Sequence, residues 1–173
     1  TTGAIIIKND SYRFWKELKK EDNIAVAQVD TAVSVAVAKE FGYNGENVMG
    51  KIVAALRRIG FNYIFDTSTA ADLTVMEESK EFADRLANGG KLPLFTSCCP
   101  AWIKYAENEY PEILPNISTC RSPMQMFASV INEKFKGEGK KILSVAVMPC
   151  TAKKGEAARD EFKDENGKPL VDF

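Results

Sequence analysis

The sequence predicts an α/β fold, a largely parallel sheet flanked by helices. Three observations carry this expectation. Four short segments rich in β-branched and aromatic residues, 23–29, 62–68, 92–97 and 142–148, read as strands. They are mostly apolar without alternation, the pattern of strands covered on both faces. Helical patterns separate them, and strand–helix alternation favours parallel pairing.

In chain order, a helix is expected over 11–20, then the strand "NIAVAQV", then helices over about 31–42 and 45–59. In the last of these, Val48, Ile52, Leu56 and Ile59 recur at helical spacing and Gly60 supplies a stop. "NYIFDTS" is the second strand, and a helix over 71–87 follows with Val75, Phe82 and Leu86 as its apolar stripe. "LPLFTS" is the third strand, and Pro100 suits the opening turn of a helix over 100–109. A helix over 122–136 leads into the strand "ILSVAVM". The polar "KDENGKP" at 163–169 is the one linker-like stretch. "LVDF" reads as the opening of a further buried strand, so a truncated chain is expected.

At 173 residues and 45% hydrophobic, the chain can bury a core as one domain or two joined lobes. A formal net charge of −1 gives no long-range pull toward nucleic acid or anionic lipid. No 18-residue apolar run or signal-peptide pattern is present, which fits a cytoplasmic protein away from membranes. The chain begins "TTGAIII" without methionine, so any preceding leader is invisible. The absence of histidine excludes Ser-His-Asp and Cys-His catalysis and histidine-bound zinc within this chain. The four cysteines, Cys98, Cys99, Cys120 and Cys150, form no C-x-x-C, which disfavours a zinc ribbon or a thioredoxin-like pair.

Two cysteine motifs fall beyond expected strand ends, where ligands gather in parallel α/β sheets. In "FTSCCPAW", Cys98 and Cys99 would sit at a helix N-terminus, whose N–H groups and dipole favour thiolate. In "VMPCTAKKGE", Cys150 is similarly placed, with Thr151 as a possible N-cap and Lys153 and Lys154 adding positive charge. Cysteines at strand ends also pack inertly in cores, and a single one would be read that way. Two such motifs, each coupled to proline and a helix start, favour chemistry.

"FTSCCPAW" and "MPCTAKKGEAAR" resemble the first two signature segments of the iron-only (FeFe) hydrogenases. "VMGKIVAALRRIGFNYIFDTSTAADLTVMEESKEF" and "ENEYPEILPNISTCRSPMQMF" also resemble that family's catalytic domain, so the likeness covers nearly the whole chain in order. The resemblance implies residues 1–173 are the N-terminal portion of a domain that holds the H-cluster. That cofactor is a 4Fe–4S cubane joined through cysteine sulfur to a diiron centre carrying CO, cyanide and a dithiolate. The implied reaction interconverts hydrogen with protons and electrons, with ferredoxin or another electron carrier and maturation proteins as partners. By motif position, Cys99 and Cys150 match cubane ligands, and Cys98 matches the thiol that relays protons to the diiron site. Lys153 matches the lysine that hydrogen-bonds an iron-bound cyanide, and Met148 and Pro149 match residues lining the diiron pocket. The family's proton path maps onto Glu78, Glu81 and Ser118, and Glu156 is placed in the polar surround. Without the resemblance, the two glutamates read as surface charges, with Glu81 paired to Arg85 at i+4. Cys120 matches no ligand and is expected to pack.

Two departures stand out. Where the family carries a stretch like V-A-P-A-V-R, this chain has "VDTAVSVA", with Asp30 and Thr31 in place of Ala and Pro. A carboxylate beside an anionic cyanide is repulsive unless protonated or turned away. The family's third segment, with two more cysteines, is absent, so the chain alone is expected to be inactive and metal-free. The alternative reading is a non-catalytic hydrogenase-like iron–sulfur protein in cluster assembly or sensing. A redox protein using Cys98 and Cys99 directly is weaker, since it lacks a resolving cysteine.

Overall fold

The computed structural model describes residues 6–43 and 45–173. Its three strands, β1 (Asn23–Val29), β2 (Tyr63–Asp66) and β3 (Lys141–Val147), form one parallel sheet in the order β2-β1-β3. Val26 stands opposite Tyr63 on one side of β1 and Ser144 on the other. Among the described residues, seven α-helices accompany the sheet: α1 (Ser11–Leu18), α2 (Thr31–Glu40), α3 (Met49–Ile59), α4 (Thr67–Asn88), α5 (Pro100–Glu109), α6 (Pro123–Lys134) and α7 (Ala152–Ala157).

The missing alternation in β1 follows from its position. Ala25, Ala27 and Val29 pack with Ala38, Val48, Ile52 and Phe61 on the face carrying α1, α2 and α3. Ile24 and Val26 point the other way, onto Ala70 of α4, Phe127 and Ile131 of α6 and Phe135 at its C-cap. With both faces covered, every position along the strand favours a small or apolar side chain. The exception is Gln28, fully buried, whose amide Nε2 donates to the carbonyl of Met124 at 3.1 Å.

The fold corrects several sequence expectations. Segment 92–97 does not join the sheet; Phe95 makes a single parallel bridge to Ile117, through its N–H to Asn116 O and its carbonyl to Ser118 N. Pro93 carries no N–H for a ladder, and the segment's partner is the extended turn at 116–118. The helix expected from 71 starts at Thr67, because the Asp66 carboxylate accepts from Ser68 N at 2.8 Å and caps it. Val75, Phe82 and Leu86 are not its inward stripe, being 64%, 43% and 57% exposed. Ala70, Thr74, Glu81 and Arg85 face inward instead, where Arg85 donates to the carbonyls of Lys91, Pro115 and Ile117. Residues 163–169 form a closed turn, with Lys163 bridged to Pro169 and the Asp164 carboxylate accepting from Asn166 N and Lys168 N. "LVDF" runs along the free edge of β3, with Asp172 N donating to Ser144 O and Ala146 N to Phe173 O.

Candidate functional site

The loops after β1 and β3, the start of α4 and the turn before α5 converge on one cavity of about 230 Å3. Its wall includes Asp30, Thr31, Thr67, Cys98, Met148 and Lys153. Five of these were singled out from the sequence; Thr67 was not. Pro149 is exposed and does not line this cavity.

Each wall residue is placed by local chemistry. Asp30 ends β1 and caps α2, its carboxylate accepting from Ala32 N at 2.7 Å. That contact turns one oxygen of the departing carboxylate onto its own helix. Cys99 is the N-cap of α5, with its Sγ accepting from Trp102 N at 3.5 Å, and Pro100 occupies the first helical position. Cys98 therefore precedes the cap, and its carbonyl accepts from Lys153 Nζ at 2.9 Å. Lys153 also donates to Glu156 Oε2 at 3.0 Å, one turn along α7, and Glu156 is only 5% exposed. An ammonium has three donors, so these two bonds leave one unused on the cavity wall. Thr151 precedes α7 but its side chain makes no capping bond, because its backbone is already helical. Lys154 turns away to Asp10 Oδ2 at 2.9 Å and the carbonyl of Lys8.

A second cavity of about 250 Å3 includes Ser97, Ser118, Cys120, Arg121 and Glu156 on its wall. Beside it, the Ser118 hydroxyl donates to Glu81 Oε2 at 2.7 Å, and Thr119 N reaches the same carboxylate. Arg85 holds the other oxygen at 2.6 Å, so the i+4 ion pair and the Ser118 contact coexist. Burial pushes the Glu81 pKa up, but the bonds from Ser118, Arg85 and Thr119 outweigh it and hold the group below its ordinary value. Glu78 accepts from Ser97 N at 3.3 Å, next to Cys98. Among the described residues, hydrogen bonds join Glu81 to Ser118 and Glu78 to Ser97, but none joins the two pairs directly. Cys120 is part-buried, 4.0 Å from Glu81 Oε2, and burial pushes its thiol pKa up. Thr67 had no sequence signal of its own beyond following a capping aspartate.

The chain belongs to the iron-only hydrogenase family: residues 23–173 match the model for the iron only hydrogenase large subunit, C-terminal domain. Among individual proteins it is similar to the NADP-reducing hydrogenase subunit of Solidesulfovibrio fructosivorans, 42% identical over 99% of this chain and 31% of that protein. It is also similar to a cytosolic Fe-S cluster assembly factor of Danio rerio, 34% identical over 82% of this chain and 37% of that protein. A solved FeFe hydrogenase of Chlamydomonas reinhardtii superposes with a TM-score of 0.86 at 33% identity, covering 95% of this chain and 44% of that one. The chain thus spans about a third of the length of these curated relatives.

The family implies iron–sulfur clusters, and the residues fit them unequally. Cys98, Cys99 and Cys150 are free and exposed, but no group of three or more ligating side chains converges among the described residues. Cys99 and Cys150, the two cysteines that resemble cubane ligands, would supply half of the four that usually hold a cubane. The cavity is better matched to the diiron group: Lys153, Cys98, Met148 and Thr67 line it, and the buried Thr67 hydroxyl has no partner among the described residues. No described helix is long and apolar enough to cross a membrane.

Proposed function

We propose that this chain forms the N-terminal half of an H-cluster site in a hydrogenase that interconverts H2 with protons and electrons. The observation that carries the reading is the convergence of Cys98, Lys153, Met148, Asp30 and Thr31 on one cavity from three separate chain segments. A cubane alone calls for thiolates; it does not call for a lysine beside a thiol-bearing residue. When bound, the diiron group supplies the metal centre at which hydrogen is made or split. Lys153 would hold an anionic ligand of that group through its remaining donor, while Glu156 and the Cys98 carbonyl fix the ammonium in place. The Cys98 thiol would give up and regain a proton at Sγ. Cys99 and Cys150 would supply two of the cubane's thiolates. Glu81, Ser118 and Glu78 would supply the proton path, with Glu78 bound to Ser97 N beside Cys98; Met148 lines the cavity and Pro149 does not.

The complete protein would draw electrons from ferredoxin or a similar carrier and receive its diiron group from maturation proteins. Four free cysteines favour a reducing, cytoplasmic setting. The whole reading is tested by expressing the full-length protein with hydrogenase maturation proteins. Infrared bands from iron-bound CO and cyanide, together with hydrogen evolution from a reduced dye, are the expected result. The similarity to the Danio rerio assembly factor favours a second reading, in which the protein carries a cubane without the diiron group. An iron–sulfur signal with no CO or cyanide bands would establish that reading and overturn the first.

A further inference from the structure

Thr67 is the first residue of α4 and is 91% buried, being 9% exposed, yet its Oγ1 meets no hydrogen-bond partner among the described residues. Buried hydroxyls in folded proteins are nearly always paired, so an orphan needs a physical account. The residue that carries it, Thr67, lines the cavity whose wall also includes Lys153 and Cys98. Other buried polar atoms, including Gln125 Nε2 and Oε1 and Ser144 Oγ, also lack partners, but none of those residues lines this cavity. A hydroxyl contributes one donor and can rotate to aim it. The spare donor of Lys153 brings a positive charge to the same space. The ligand chemistry that satisfies both is an anion with acceptor atoms. Asp30 is the opposing charge on the wall, and Ala32 N already engages one of its oxygens.

We propose that the Thr67 hydroxyl donates a hydrogen bond to the anionic ligand held in this cavity, beside the ammonium of Lys153. The inference rests on the hydrogenase reading above, where an iron-bound cyanide nitrogen is an acceptor of this kind. Thr67 is then a binding and positioning residue for that group, chosen by the start of α4: the Asp66 cap fixes the helix entry and thereby the position of Thr67.

The test uses full-length protein matured with the diiron group, in wild-type form and as Thr67→Val, Thr67→Ala and Thr67→Ser. Infrared spectra read the cyanide stretching bands, and thermal unfolding is measured on the same proteins without the diiron group. A donor on the cyanide nitrogen raises its stretching frequency, so Thr67→Val and Thr67→Ala should each move a cyanide band to lower wavenumber. Thr67→Ser, which keeps the donor, should stay near wild type. Without the diiron group, Thr67→Val should be no less stable than wild type, since a methyl replaces a hydroxyl that had no protein partner. Cyanide bands of Thr67→Val or Thr67→Ala that superimpose on wild type would overturn the proposal. So would a clear loss of thermal stability in unloaded Thr67→Val, which would reveal a partner inside the protein. If wild type itself shows no CO or cyanide bands, the hydrogenase reading fails and this inference falls with it. Normal wild-type bands with no variant shift sink the Thr67 assignment alone.

Discussion

Replacing Arg85 with alanine should destabilise the protein far more than removing an ordinary i,i+4 partner. Exposed ion pairs on helices contribute about 0–1 kcal/mol, because water already solvates both charges. Here the side chains of Arg85 and Glu81 are only 13% and 16% exposed. The guanidinium also donates to the carbonyls of Lys91, Pro115 and Ile117, tying α4 to the segment that carries Ser118. Breaking a buried pair by deleting one partner costs about 3–5 kcal/mol. Ser118 and Thr119 continue to satisfy Glu81, which places Arg85→Ala at the lower end, about 3 kcal/mol. At roughly 2–4 °C per kcal/mol for a domain of this size, the thermal midpoint should fall by about 6–12 °C. Urea unfolding followed by circular dichroism measures the loss directly. The pH dependence gives an independent check. Glu81 is held below its ordinary value of 4.5, so its contribution is present above that pH and is lost as pH falls through the lowered folded value. Removing Arg85 leaves burial less opposed and raises that folded value, so the variant should lose less stability than wild type on acidification below 4.5. A loss under about 1 kcal/mol at pH 7, with an unchanged acid profile, would refute the account and return the pair to a solvated surface contact.

Lys153→Met should cost about 3–5 kcal/mol in urea unfolding, because it strands the Glu156 carboxylate at 5% exposure with no other side-chain partner among the described residues. Cys98→Ala in the matured full-length protein should nearly abolish hydrogen evolution while the CO and cyanide bands persist; sustained turnover would remove Cys98 from the proton path. An NMR titration should place the carboxyl of Glu17 at about 2, held down first by Lys20 and then by Lys141. That contribution is present above 4.5 and lost between there and about 2, so Glu17→Gln should flatten this part of the acid unfolding curve.

How much of this was legible in the sequence depended on the range of the forces involved. β1 was readable because both of its faces meet helices, and a strand so covered shows an unbroken apolar run. Segment 92–97 has a similar composition but pairs with Ile117, some twenty residues on, and no local pattern names that partner. The orientation of α4 was misread for a related reason. Apolar periodicity pointed to Val75, Phe82 and Leu86, yet the carbonyls at 91, 115 and 117 draw Arg85 inward and bring Glu81 with it. Cys98, Lys153 and Met148 stand out in the sequence only by motif resemblance, and their meeting at one cavity is supplied by the fold. Thr67 was invisible, because a threonine after a helix-capping aspartate is ordinary until its hydroxyl is found buried and alone.

The departure at Asp30 acquires a different meaning in this setting. A carboxylate on the wall of a site for an anion conflicts with its ligand if its charge is free. Ala32 N and the positive end of α2 engage it, a capping arrangement typically worth about 1 kcal/mol to the helix. Turning one oxygen aside does not cancel its charge, however, and Lys153 already faces the carboxylate of Glu156. Lys153, Glu156 and Asp30 together carry a formal −1 in their ionised forms, so net charge among them does not draw an anion in. Binding must then come from directed donors at short range, where the orientation of each N–H and O–H outweighs the summed charge. Lys153 has one such donor to spare and Thr67 has another. The same substitution that made the site look poorly suited to an anion is therefore the reason a hydroxyl donor would matter in it.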